Sequence, residues 1–211
     1  DVAVTGVQTC ALPIFDAVVT AAGTHGLKVI VDVVPNHVSI DHPWFQAALA
    51  APRDSAQRLR FHFRDGVGGG PPNNWISVFG GPAWTQVPGP HGEPGQWYLH
   101  LFDASQPDLN WTNPEVALDF EATLRFWLNR GVAGFRVDVA LALAKDMTYM
   151  SRPDPQGLVD ALRLDLVDPR DLEASTKVRQ RMVGSPLFDR DAVHDIFARW
   201  RAVMADFDQA T

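Results

Sequence analysis

The sequence predicts an α/β fold: part of a parallel (β/α)8-type barrel that carries an inserted subdomain. Three observations lead there. Two apolar runs, Leu27–Val34 and Val132–Val139, are rich in β-branched residues and carry few polar side chains, as strands buried on both faces do. Each run follows a segment of helical periodicity and ends in polar side chains: Asp32, Asn36 and His37 at the first, Arg136 and Asp138 at the second. The stretch between them is far longer than the roughly 30 residues of a bare βαβ unit, so something is inserted.

The elements follow in order. Val4-Thr5-Gly6-Val7-Gln8-Thr9-Cys10-Ala11-Leu12-Pro13-Ile14 shows neither a helix nor a strand period. It resembles the in-frame translation of a sequencing-library adapter, so residues 1–14 are set aside as non-native. Residues 15–37 hold a helix and a strand: Phe15, Val18, Val19 and Ala22 recur on one helical face, His25-Gly26 stops the helix, and Pro35 ends the strand. Residues 38–112 change texture. The runs Gly66–Asn74 and Gly80–Pro94 are expected to hold no regular element. Trp44, Trp75, Phe79, Trp84, Trp97, Tyr98 and Trp111 argue for a packed subdomain with its own satellite core.

Residues 113–139 return to helix and strand. Thr112-Asn113-Pro114-Glu115 supplies a cap, a proline for the first turn and a Glu for a capping box. Val116, Phe120, Leu124 and Trp127 form the apolar stripe, and Asn129-Arg130-Gly131 closes the helix. Residues 140–190 read as a long loop with short helical pieces. Residues 191–207 read as a last barrel helix, with Val193, Ile196, Phe197, Trp200, Val203 and Met204 on one face.

Composition narrows the function. A formal net charge of −7, with no basic block, argues against nucleic acid or an anionic membrane as partner. No apolar run is long enough to span a bilayer. One cysteine, Cys10, excludes a disulfide framework within the chain. His42 and His62 lack zinc-ligand spacing with His37.

The chemistry concentrates at the strand ends, which form the active-site face of a parallel barrel. Arg136 and Asp138 are two apart on a strand and share a face. A guanidinium beside a carboxylate favours its ionised form, as a carboxylate nucleophile requires. His37 at the mouth is suited to bind a hydroxyl or orient a carboxylate. A structural ion pair and a structural histidine are the competing readings of the same residues.

On these motifs the chain resembles the α-amylase superfamily, glycoside hydrolase family 13, in its α-glucosidase and oligo-1,6-glucosidase branch. Asp32-Val-Val-Pro-Asn36-His37 and Gly134-Phe-Arg136-Val-Asp138 match two of that family's motif regions. Gln106-Pro107-Asp108-Leu109-Asn110, Pro71-Pro72-Asn73-Asn74-Trp75 and Gly80-Gly81-Pro82-Ala83-Trp84 resemble segments of that branch. The resemblance implies a partial TIM barrel, about its third and fourth strands, and a retaining mechanism on α-glucosidic bonds of short, maltose- or isomaltose-like oligosaccharides. Asp138 would be the nucleophile, with Arg136 orienting it. His37 would bind the glucosyl unit, Asn36 and Asp32 would brace the strand-end loop at the substrate site, and Val139 would lie beside the substrate as in members that cut α-1,6 bonds. No cofactor or metal is implied here, although calcium occurs in many complete amylases.

The resemblance covers residues 15–207 and implies an internal fragment. The family's general-acid Glu lies on a later strand, and Glu121 and Glu173 are poorly placed to replace it, so the chain alone is expected to be inactive. Two other readings share the motifs. One is a trehalose synthase or sucrose isomerase type of transglycosylase. The other is a non-catalytic amylase-like heavy subunit of a transporter, which needs no nucleophile.

Overall fold

In a computed structural model the described residues are 11–89, 94–148, 173, 176 and 186–208. Helix α1 (Leu12–Thr24) leads into strand β1 (Ile30–Val33). The excursion that follows holds helices α2 (Pro43–Ala50) and α3 (Ala56–Leu59) and strands β2 (Phe63–Arg64), β3 (Trp84–Pro88) and β4 (Pro94–Leu99). Helix α4 (Pro114–Leu128), strand β5 (Gly134–Val137) and helix α5 (Val193–Asp208) complete the order.

The turn from α1 to β1 follows from one glycine. Gly26 adopts φ +69°, its N–H donates to the Gly23 carbonyl (3.0 Å), and the Leu27 N–H reaches back to Ala22 (2.9 Å). This Schellman closure satisfies the last helical carbonyls and needs a residue free to turn left-handed. The helix begins at Leu12 with Pro13 in its first turn, three residues before the expected Phe15 and inside the stretch set aside as non-native.

Strands β1 and β5 are parallel neighbours, with Asp32 opposite Arg136 and Val33 opposite Val137. Both are shorter than the apolar runs that suggested them. Burial on both faces does not hold here: Ile30 is 64% exposed and Asp32 is exposed, whereas Val33 is buried. Among the described residues β5 is the one strand paired with β1, and Leu27, Ile30 and Val34 are not covered.

The excursion is built on a three-stranded antiparallel sheet, β2-β4-β3. The Gly80–Pro94 segment, expected to be irregular, contains β3. Trp84 and Val87 turn inward against β4 and Pro88 closes an edge strand, where its missing N–H costs no ladder bond. The core is not a private satellite either. Phe45, Phe61, Phe63 and Tyr98 share one apolar cluster with Val116 and Leu124 of α4 and Ile196, Trp200 and Val203 of α5. A second cluster joins Trp75, Trp84, Leu99 and Leu101 to Ala142, Leu187 and Phe188. The excursion is thus packed onto the barrel elements by continuous apolar contact.

Helix α4 keeps its predicted stripe, with Val116, Leu124 and Trp127 buried and Phe120 half-buried. Its Asn113 cap accepts the Glu115 N–H (2.9 Å), and Pro114 occupies the first turn. Glu115 forms no capping box: it sits one position too early and pairs with Arg60 at 2.8 Å. Phe120 packs on Trp200 at 4.8 Å, and Glu121–Arg199 and Arg125–Asp206 pairs (2.6 and 2.7 Å) fasten α4 to α5. Most of the expected 140–190 loop lies outside the described residues. Its described start is a 3₁₀ turn, Ala140–Ala142, immediately after the second strand.

Candidate active site at the strand ends

The parallel register decides the first contacts. Asp32 and Arg136 face each other across the β1–β5 ladder, and Asp138 follows Arg136 on the same face. The guanidinium therefore reaches both carboxylates: Nη1 lies 3.3 Å from Asp32 Oδ2 and Nη2 lies 3.3 Å from Asp138 Oδ1. Their side chains are 64%, 58% and 45% exposed for Asp32, Arg136 and Asp138. At such exposure ion pairs add at most about 1 kcal/mol, so the bridge contributes little to holding the fold. Asp32 consequently braces Arg136, not the strand-end loop it was expected to brace.

Asp138 closes the ladder, its N–H donating to the Val33 carbonyl at 2.9 Å. The chain then turns sharply. Val139 adopts φ 53°, ψ 29°, a left-handed conformation that is costly for a β-branched residue, by about 1–2 kcal/mol. Its carbonyl accepts the Ala142 N–H (3.0 Å), and its side chain packs on the second apolar cluster, half-buried. The turn leaves Asp138 at the lip.

On the other side of the mouth stands His37, half-buried, its ring 5.3 Å from that of Phe102. Burial pushes its pKa below the usual imidazole value, and the Lys145 ammonium adds to this, while Asp108 and Asp138 pull the other way. The Asn36 amide nitrogen lies 3.2 Å from Nδ1. With the amide as donor there, the proton of the neutral ring is assigned to Nε2, which makes His37 a hydrogen-bond donor at neutral pH.

Behind His37 lies a group the sequence reading missed. Asn36 is completely buried, and so are Asp108 and the Lys145 side chain. Lys145 Nζ donates to Asn36 Oδ1 (2.8 Å) and to the Ala142 carbonyl (2.7 Å), and lies 3.2 Å from Asp108 Oδ2. Asp108 Oδ1 accepts from the Asn36 amide (3.1 Å) and the Leu101 N–H (3.2 Å). Burial raises the Asp108 carboxyl and lowers the Lys145 ammonium, and each charge offsets that shift in its partner. With two of its ammonium protons donated to oxygens and the Asp108 carboxylate 3.2 Å away, Lys145 is read as the cation of a buried pair.

Asn36 therefore does not reach substrate: its amide is enclosed and spent on Asp108, Lys145 and His37. Its role is to brace, as the loop reading had it. The 105–109 segment reinforces this brace through backbone bonds, Val38 to Pro107 (3.2 Å), Ile40 to Ser105 (2.9 Å) and Leu109 to Asn36 (2.9 Å). A calcium ion does not fit this cradle. The Asn36 and Asp108 oxygens that would ligate it already receive the Lys145 ammonium, whereas calcium takes six to eight oxygen ligands. Among the described residues no group of three or more His, Cys, Asp or Glu side chains gathers to hold a metal.

The family profile described as "Alpha amylase, catalytic domain" matches residues 13–204. The chain belongs to the α-amylase catalytic-domain family. That membership implies a TIM-barrel fold, to which adjacent parallel β1 and β5 contribute. Among curated α-amylase-family relatives, the trehalose-6-phosphate hydrolase of Escherichia coli (strain K12) is 43% identical over 143 residues, 68% of this chain and 25% of that protein. The α-glucosidase of Apis mellifera is 36% identical over 196 residues, 92% of this chain and 31% of that one. Among solved structures, trehalose-6-phosphate hydrolase of Bacillus licheniformis superposes with a TM-score of 0.68 at 32% identity, covering 90% of this chain and 29% of the other. Isomaltulose synthase of Erwinia rhapontici NX5, bound to sucrose, gives 0.59 at 38% identity over 64% of this chain and 23% of its own. The chain thus spans about a quarter of the length of these α-amylase-family relatives.

Proposed function

We propose that the strand-end site is the glucosyl-binding and nucleophile-bearing part of a retaining α-glucosidase acting on short oligosaccharides of maltose or isomaltose type. The observation that carries this reading is the Arg136 guanidinium, 3.3 Å from the Asp138 carboxylate, on the same mouth as a neutral His37. Arg136 aligns Asp138 for attack on the anomeric carbon. An enzyme carboxylate that attacks there forms a glycosyl-enzyme, which water then hydrolyses with retention. His37 donates to a hydroxyl of the same glucosyl unit, and Val139, next in the chain, flanks it. This enzyme reading is supported over a non-catalytic amylase-like subunit because such a subunit needs neither an aligned Asp138 nor its Arg136. Similarity to isomaltulose synthase supports a second reading, in which a sugar hydroxyl rather than water takes the glucosyl group.

Retaining chemistry needs a second carboxylic acid about 5–5.5 Å from the first. Asp32 shares the guanidinium of Arg136, and Glu121 is committed to Arg199 between two helices. The 211-residue chain alone is therefore proposed to release no 4-nitrophenol from 4-nitrophenyl α-D-glucoside, and detectable release would overturn this. The site itself is tested by calorimetric titration with D-glucose. Binding that is lost in His37→Ala and weakened in Asp138→Asn supports the reading. No binding, or binding indifferent to both substitutions, refutes it.

A further inference from the structure

Residues 61–64 alternate as a strand does. Phe61 and Phe63 enter the apolar cluster, which turns His62 and Arg64 to the opposite face. A cavity of about 390 Å³ lies between that face, residues 110–112 and residues 145–148, a volume ordinary for a small-molecule site. It shares no residue with the mouth formed by Asp32, His37, Arg136 and Asp138.

His62 is 2% exposed and forms part of the cavity wall, and its Nε2 has no hydrogen-bond partner. Among the described residues two other enclosed side-chain atoms lack one, but each has an opposite charge beside it. Asp108 Oδ2 has the Lys145 ammonium at 3.2 Å, and Arg130 Nε has Asp16 at 3.6 Å. His62 Nε2 has neither. Burial, with the Lys145 and Arg64 charges, holds its pKa well below the ordinary imidazole value, so the ring is neutral. A hydrogen bond to the Leu109 backbone acts the other way and falls to Nδ1 as donor, which leaves Nε2 a bare acceptor. Buried acceptors are nearly always satisfied, so a hydrogen-bond donor belongs against this ring.

The rest of the wall narrows the donor. The Thr112 hydroxyl donates to Asn110 Oδ1 (2.7 Å) and the Thr148 hydroxyl to Asp146 Oδ1 (2.6 Å), so both threonine oxygens keep lone pairs for a further donor. The exposed Arg64 guanidinium spends one N–H on the Phe63 carbonyl (2.7 Å) and has others to give. Arg64 and Asp146 set opposite charges on one cavity, so a cation or an anion would be repelled by one of them. We propose that this cavity is a second binding site, apart from the strand-end mouth, for a small neutral polyol, an alditol or a monosaccharide. Its hydroxyls donate to His62 Nε2 and the two threonine oxygens and accept from Arg64. Hydroxyl groups suit such a wall because each one both donates and accepts without adding charge. The site is independent of the glucosyl-site reading above.

The test is a sorbitol titration of the full chain labelled with ¹⁵N-histidine, read at the His62 Nε2 resonance, which is assigned by its absence from His62→Phe. A bare pyridine-type nitrogen moves upfield when it accepts a hydrogen bond, so a saturable upfield shift is expected while the His37 resonances stay in place. Arg64→Ala, at an exposed position, should keep the fold and weaken sorbitol about 10-fold or more, the scale of a hydrogen bond to a charged group. Sodium phosphate, the charged probe, should leave the resonance where it is. An Nε2 resonance that sorbitol never moves, as in a cavity that holds water alone, overturns the proposal. So does one that moves only together with His37, an affinity unchanged in Arg64→Ala, or phosphate binding tighter than sorbitol.

Discussion

Replacing Lys145 by Met tests how the buried brace works. The Lys145 and Asp108 side chains are both fully enclosed and lie 3.2 Å apart. Met fills much of the same volume but removes the ammonium, leaving the Asp108 carboxylate buried and uncompensated and the Asn36 and Ala142 oxygens without their donor. Breaking a buried pair from one side costs about 3–5 kcal/mol. That is a large share of the roughly 5–15 kcal/mol that holds a domain together. With a urea slope of about 2 kcal/mol per molar, the midpoint should fall by roughly 2 M. Urea titration followed by tryptophan fluorescence reads this directly. Asp108→Asn combined with Lys145→Met removes the stranded charge, so the double variant should be more stable than Lys145→Met alone. A loss below about 1 kcal/mol, or a double variant whose loss equals the sum of the two singles, would refute the buried-pair account.

Three further outcomes are expected. Burial holds His37, His42, His62 and His100 below the ordinary imidazole pKa, and His62 well below it. The unfolded chain then binds more protons than the folded one below pH ~6.5, so their stability contribution is complete above that pH and lost as pH falls, by at most about 1.4 kcal/mol per pH unit for each. Urea midpoints from pH 7.5 to 5.5 should therefore fall less steeply in His62→Phe than in the wild type, and an unchanged slope contradicts this. Arg136→Ala should change unfolding stability by less than about 1 kcal/mol, because its pairs are exposed, while weakening D-glucose binding; a large stability loss with intact binding would show a structural pair instead. Asn113→Ala removes the cap of α4 and should cost about 1 kcal/mol by urea titration, with Asn113→Asp retaining most of it.

What the sequence showed and what it hid have physical reasons. Periodicity located α1, α4 and α5, and the β-branched runs located β1 and β5, because α4 and α5 bury a regular face, α1 half-buries one at Phe15, Val19 and Ala22, and the strands pair in a ladder. Arg136 and Asp138 were visible because strand alternation puts them on one face with no tertiary information. The brace was not. Lys145 follows an Ala/Leu run that suggests only packing, and Asp108 lies on a loop, so their contact arises from where the 105–109 segment is pinned across residues 36–40. Strand β3 escaped because glycines and prolines crowd its ends, although its own Trp84-Thr85-Gln86-Val87 has strand composition. That Asn36 braces from inside was only half legible, because sequence shows that it follows the strand but not that its amide turns inward.

The central claim, that Asp138 is a nucleophile aimed at a bound glucosyl unit, is tested most directly by treating the chain with 5-fluoro-α-D-glucosyl fluoride and mapping any adduct by peptide mass. Fluoride departs without help from an acid, so the account asks only Arg136, Asp138 and His37 to carry the first step. The account predicts one fluoroglucosyl group, attached at Asp138 and absent from Asp138→Asn. An adduct on another residue, or an unmodified chain after prolonged exposure, would contradict it.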